Sequence, residues 1–280
     1  MLRTLKGMVL GALPAAVAGR LRAWRVQRLI DTYPARVVEH TYGSLPLKVC
    51  LTDPMSAGWY DHAWAELPEI VALRGTALRD GAVVFDIGAH QGVVALMLAA
   101  EVGATGTVVA VEASAHNTAT ARRNAELNGA RQIIVVEAAI ADREGSITFN
   151  RGLNGQLDDG TGSAGKVEVR ALTLDAMALT YGNPDLVFLD VEGAECLALK
   201  GGREVLSTSA TFFVEVHVGC GLELLGGSVT ELMSHFPVAH YALGVRAEAD
   251  ATFREVLPDD PLFNDRFFLL ATKRTEMRRD

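Results

Sequence analysis

Val83-Val84-Phe85-Asp86-Ile87-Gly88-Ala89-His90-Gln91-Gly92 is the stretch that decides the fold. Three β-forming residues run into an acid, and glycines follow that acid two and six positions on. A strand, a sharp turn and the start of a helix fit this order. Val93–Ala100 is apolar at nearly every position, so the helix is buried on most sides. Thr107–Val111 reads as a second strand. Ser114–Leu127 follows as a polar helix, with Ser114 as N-cap and Asn128-Gly129 as the C-terminal stop. Ile133–Val136 is a third strand. These strands are short, apolar and unalternating, as in a parallel sheet covered on both faces. Alternation of strand and helix gives an α/β, doubly wound, Rossmann-like architecture.

Further along, the texture changes. Ser146–Phe149 and Val167–Arg170 alternate polar and apolar residues, like exposed antiparallel strands. Gly152, Gly155, Gly160, Gly162 and Gly165 make the segment between them a flexible loop and a candidate lid. Apolar runs resume at Leu186–Val191, Thr211–Val216 and Phe267–Thr272. Upstream, residues 20–30 read as a basic helix stopped by Pro34, Val37–Leu51 as an added hairpin, and Leu67–Leu78 as an apolar helix. Trp59, Tyr60 and Trp64 form a second candidate lid. The expected division is an N-terminal extension over 1–80 and the main domain over 81–280.

The chain has 280 residues, 49% hydrophobic and 21% charged, which excludes disordered and collagen-like classes. A net charge of −8 argues against a nucleic-acid partner. The charge is split: residues 1–40 carry 7 basic against 2 acidic groups, so +5, and the remainder carries −13. Between Lys6 and Arg20 lies an uncharged run of 13 residues, interrupted by Pro14 and shorter than a membrane span requires. A secretory leader would show basic residues, an apolar stretch and Ala16-Val17-Ala18 in this order, but four arginines follow at once. The expectation is a cytoplasmic protein whose basic N-terminus is a docked or surface amphipathic helix, with weak contact to a membrane surface as the second reading. Cys50, Cys196 and Cys220 form no disulfide framework and no metal pair.

The chemistry sits at strand ends. Gly88 lets backbone approach a ligand, and Gly92 lets helix pack close to strand. His90 stands where a dinucleotide fingerprint has its pyrophosphate-facing glycine, which disfavours an NAD-dependent oxidoreductase. Asp86 suits a cation, such as the ammonium of S-adenosylmethionine. Glu112, closing the second strand, can accept from two ribose hydroxyls. Asn117 can support the ribose, and Ala138 and Ala139 leave room for an adenine ring. A second constellation pairs Asp190 with Glu192, and Glu215 with His217. Each pair is two apart on an extended segment, so each shares one face. Their use is general-base catalysis, with Glu215 or His217 as the base. A hard divalent cation on Asp190, Glu192 and Glu215 is a second use.

The turn Asp86–Gly92, Glu112, Ala139–Gly145, Thr173-Leu174-Asp175 and Asp190-Val191-Glu192-Gly193-Ala194-Glu195 with Leu199-Lys200-Gly201 resemble the FkbM family. The similarity runs over roughly residues 55–245. It implies a seven-stranded doubly wound methyltransferase fold, S-adenosylmethionine as donor, and O-methylation of a hydroxyl on a small molecule or glycan. Two positions depart from the family pattern. His90 replaces the Asn of the usual G-A-N turn, and Phe188 stands where a lysine often precedes the D-V-E-G aspartate. The alternatives are a non-catalytic or membrane-recruited binding module on the same fold, and an NAD-dependent oxidoreductase.

Overall fold

The computed structural model describes residues 15–150, 153, 156–157, 166–256 and 263–274. Helix α1 (Ala15–Thr32) precedes an antiparallel hairpin, β1 (Arg36–Tyr42) and β2 (Leu45–Leu51), and two short helices, α2 (Pro54–Tyr60) and α3 (Pro68–Leu73). Then come β3 (Val83–Ile87), α4 (Val93–Val102), β4 (Thr107–Glu112), α5 (Ala115–Leu127) and β5 (Ile133–Glu137). A separate small sheet follows, of β6 (Ala139–Ile140), β7 (Gly145–Asn150), β8 (Gln156–Leu157) and β9 (Lys166–Leu172). The chain returns through α6 (Leu174–Tyr181), β10 (Leu186–Leu189), α7 (Glu195–Lys200), α8 (Arg203–Ser207) and β11 (Thr211–Val216). It ends with α9 (Val229–Ser234), β12 (Tyr241–Ala247), β13 (Arg254–Glu255) and β14 (Phe267–Lys273).

The main sheet has the order β13-β12-β14-β11-β10-β3-β4-β5. The five strands from β11 to β5 run parallel, and β14 lies antiparallel between β11 and β12. It is therefore the expected doubly wound sheet of seven strands with the two-residue β13 added at one edge. The chain leaves β3 toward β4 on one side and returns to β10 on the other. This reversal opens a crevice at the carboxyl ends of β3 and β10, where ligands of such sheets sit.

Alternate residues of each central strand enter opposite cores. Phe85 and Ile87 of β3 join Val187 and Leu189 of β10 on one face. Val84 joins Leu186 and Phe188 on the other. Asp86, aligned with Phe188 in the register, points to that second face. There α4 is buried nearly all round, as its sequence demands, because the N-terminal segment covers it. Tyr42, Val49, Leu51, Tyr60, Ile70 and Leu73 share its core.

The hairpin is stitched on by two asparagines four residues apart, Asn124 on α5 and Asn128 capping its C-terminus. Asn124 Oδ1 accepts from the Cys50 amide at 2.7 Å, and Asn128 Oδ1 from the Lys48 amide at 3.0 Å. They satisfy the open edge of β2 as a neighbouring strand would. Asp53 then caps α2, accepting from the Ser56 amide at 2.8 Å. Its other oxygen takes hydrogen bonds from Gln91 Nε2 at 2.6 Å and His116 Nε2 at 2.9 Å. Asp53 is fully buried, and its carboxyl is held below the usual range: burial opposes the charge, but these hydrogen bonds outweigh it. Asp53→Ala is expected to cost about 3 kcal/mol, adding a lost cap to two stranded donors. Urea unfolding measures it, and a loss below about 1 kcal/mol would contradict this account.

Three expectations change in detail. The helix expected over Leu67–Leu78 stops at Leu73, since Gly75 takes φ +76° and Arg74 bridges back to Leu78. The strand expected over Leu186–Val191 stops at Leu189. Strand β12 and helix α9 are additional. Among the described residues all three cysteines are free, and no helix is long and apolar enough to cross a membrane. Most of the glycine-rich loop lies outside the described residues.

Candidate active site

A cavity of about 220 Å³ occupies the crevice at the β3–β10 reversal. Asp86, Gly88, His90, Glu112, Ala138, Ala139, Asp190 and Glu192 all line it. Trp59, Tyr60 and Trp64 close one side, and Phe149 and Phe188 add apolar wall. Six of the eight residues expected to hold a cofactor thus meet in one place. Gly92 and Asn117 lie beside it in supporting positions. Gly92 takes φ +78° and faces Ala121 of α5, so it serves helix packing. Asn117 is buried, giving its amide to the Leu153 carbonyl at 3.1 Å and accepting from Gln91.

Gly88 is required by the crossing itself. Its φ is +88°, and a Cβ there would fall within the van der Waals radius of the Asp190 carbonyl oxygen. The two turns that carry the site therefore touch backbone to backbone. Two non-glycine residues among those described hold positive φ, His90 at 47° and Glu192 at 51°. Both are cavity residues. Such strain persists only where surrounding structure enforces it, typically at working sites. The left-handed conformation at position 90 also explains why asparagine suits this turn, being the side chain that best tolerates it after glycine.

The surroundings of Asp86 are acidic and dry. Asp86 is 2% exposed, and its Oδ2 is buried without a hydrogen-bond partner. Burial, with the Glu112 charge beside it, pushes its pKa up to about 7. Glu112 is also pushed to about 7 by burial, although it accepts from the Ser114 amide at 2.7 Å and the His90 amide at 3.0 Å. Two carboxyls this reluctant to ionise call for a cationic ligand. His90 Nδ1 meets the Tyr60 hydroxyl at 2.8 Å, and its ring lies 4.9 Å from that of Trp59. Burial lowers its pKa to about 4, so it is neutral near physiological pH.

The second constellation assembles differently from the expectation. Asp190 and Glu192 do not share a strand face: β10 ends at Leu189, and the positive φ of Glu192 turns the chain. The turn still brings both to His217, whose Nε2 lies 3.6 Å from Asp190 Oδ1 and 3.6 Å from Glu192 Oε2. Burial and the Glu215 charge raise the Asp190 pKa well above the usual range. Glu215 and His217 stand behind the acidic pair and off the cavity wall. Glu215 Oε1 is 3.0 Å from Arg266 Nη1. His217 is 2% exposed; burial opposes its charge, but Glu195, Asp190 and Glu192 outweigh it and raise its pKa to about 9. An imidazolium cannot accept a proton, and of the four expected catalytic residues Asp190 and Glu192 line the cavity. The all-oxygen cation set changes too. Ligand atoms of Asp190, Glu192 and His217 lie within 4.8 Å of one another, while Glu215 is taken by Arg266.

Sequence reasoning missed Glu195 as a site residue. It is fully buried, and its Oε1 accepts from His217 Nδ1 at 2.7 Å and the Gly193 amide at 2.9 Å. Its position at the end of D-V-E-G-A-E was the available signal.

The model of the methyltransferase FkbM domain matches residues 86–223. None of the curated proteins matches the sequence. Among solved structures, the chain is similar to methyltransferase FkbM from Methylobacillus flagellatus, at 18% identity and TM-score 0.44, over 71% of this chain and 44% of that one. It is similar to an S-adenosylmethionine-dependent O-methyltransferase from Thermotoga maritima, at 14% identity and TM-score 0.46, over 90% and 83%. It is also similar to precorrin-6y C5,15-methyltransferase from Geobacter metallireducens, at 16% identity and TM-score 0.43, over 73% and 89%. The chain thus spans less than half the length of the Methylobacillus protein. With the family model over the turn, the acidic pair and the strands between them, residues 86–223 belong to the methyltransferase FkbM domain family.

Proposed function

We propose that this protein transfers the methyl group of S-adenosylmethionine to a hydroxyl of a small molecule or glycan. The observation that carries this reading is the acidic lining of the cavity. Asp86 and Glu112 act on each other there, and Asp190 and Glu192 meet beside His217. In this reading Asp86 receives the donor ammonium, Glu112 the ribose hydroxyls, and Ala138–Ala139 the adenine. The sulfonium methyl then faces Asp190. An acceptor oxygen attacks the methyl carbon in line. The C–O bond forms, the C–S bond breaks, and the electron pair neutralises the sulfonium. The hydroxyl proton passes to Asp190, whose raised pKa suits it as acceptor. Trp59, Tyr60 and Trp64 exclude water and hold the reactants at near-attack distance.

Calorimetry with S-adenosylhomocysteine tests the donor site. Asp86→Ala is expected to abolish binding with the fold intact by circular dichroism; unchanged affinity would overturn the assignment, and an NAD arm tests the oxidoreductase alternative. Affinity for S-adenosylmethionine should also depend on pH. A carboxyl titrating at about 7 must release its proton before it pairs with an ammonium. Binding is expected to weaken about ten-fold between about pH 8 and about pH 6. The stability of the donor-free protein should move the other way. The folded Asp86 pKa of about 7 lies above the unfolded 3.8, so the folded state holds a proton that the unfolded chain has released. Stability therefore falls as pH rises across that window. Urea midpoints that stay flat there would contradict it.

A further inference from the structure

We propose that Asp190, Glu192 and His217 bind one divalent transition-metal cation, such as Zn²⁺ or Mn²⁺, beside the cavity. Its use in catalysis rests on the reading above; the binding itself does not.

The argument begins with Glu195. A buried carboxylate is an acceptor, so its 2.7 Å contact fixes the proton of His217 on Nδ1 and turns Nε2 toward the acidic pair. The Gly193 amide, donating to the same carboxylate oxygen at 2.9 Å, holds Glu195 in place. A carboxylate behind a histidine in this way is the usual support of a metal ligand. Nε2 itself is buried and has no hydrogen-bond partner, and neither has Asp190 Oδ1. The imidazole could close on any one carboxylate to hydrogen-bond length. Instead it stands 3.6 Å from Asp190, 3.6 Å from Glu192 and 3.5 Å from Glu215. Two donors each about 2.1 Å from one ion, at the tetrahedral angle, lie about 3.4 Å apart. The spacing is that of ligands about an ion, not of partners in a hydrogen bond.

The donor set names the class of ion. One imidazole nitrogen and two carboxylates, with no thiolate, suit neither a soft ion nor an ion that wants oxygen alone. Three protein ligands leave coordination positions open, as catalytic metal sites do. Asp190 and Glu192 both line the cavity, so the open side faces the acceptor. A cation there lowers the pKa of a neighbouring hydroxyl. A divalent ion held through Nε2 takes the place of a proton there.

The test uses the full chain, stripped with a chelator and titrated with Mn²⁺ by electron paramagnetic resonance and with Zn²⁺ by calorimetry. One equivalent is expected. His217→Ala and Glu192→Gln should each weaken binding at least about ten-fold, and Glu195→Gln about ten-fold through loss of support. S-adenosylhomocysteine affinity, measured on the same samples, should be retained and reports on both fold and donor site. Normal donor binding with no cation bound, or undiminished cation affinity in folded His217→Ala, overturns the proposal. Cation binding without donor binding would instead sink the donor reading and leave the cation site standing. Should the histidine variant not fold, pulsed resonance on wild type with Mn²⁺ decides: modulation from one imidazole nitrogen is expected, and an all-oxygen shell overturns the site.

Discussion

Asp190→Asn is expected to lower turnover by about 10²–10⁴-fold while changing S-adenosylhomocysteine affinity only a few-fold. The substitution keeps shape and removes the ability to take a proton. Asp190 is the only one of the four expected catalytic residues that combines a place on the cavity wall with a pKa raised well above the carboxylate range. The split between the two measurements matters. A merely structural role would move both, because Gly88 of the donor turn packs directly on the Asp190 backbone. Methyl-transfer assays on a panel of hydroxyl acceptors, run beside calorimetry, separate the outcomes. Turnover within a few-fold of wild type would remove Asp190 from the reaction.

Gly88→Ala should have the largest effect on the molecule as a whole. The added methyl has nowhere to go: the nearest atom is a carbonyl oxygen of a buried crossing, and the residue's φ of +88° is strained for any L side chain. Relief requires that the β3 and β10 turns separate, which opens the cavity. A loss of more than about 3 kcal/mol is expected, from strain and overpacking together. Donor binding should vanish even under conditions where the variant stays folded. Equal urea midpoints for variant and wild type would show that the two turns do not depend on their contact.

What could be read from the sequence was whatever one strand and its following turn encode. Val83–Gly92 announces its element, its acid and its glycines within ten residues. Glu112 and the D-V-E-G-A-E segment were legible for the same reason. The residues that escaped are those whose meaning lies in a distant partner. Glu195 looks like an ordinary acid in a helix's first turn, until His217 meets it from the next strand. Asp53 is an ordinary cap until it holds Gln91 beneath the donor turn. Strand β12 was hidden because Gly244 and Arg246 interrupt its apolar run. Arg246 is nevertheless buried there, paired with Glu69 at 3.0 Å and stacked over Phe268 at 4.0 Å. The surroundings of His217 were hidden too. Nothing in the order of residues shows that four carboxylates surround it.

The strained backbone at His90 and Glu192 has a consequence for anyone who breeds this protein for heat resistance. Glycine at either position would relieve a conformation that costs of order 1–3 kcal/mol. A selection scored on survival alone would find these two sites early. The winners would be sturdier proteins with a blunted pocket, lacking the imidazole or the carboxylate that lines it. Positions 90 and 192 are therefore where hardiness and activity pull apart, and a stabilising campaign should hold them fixed.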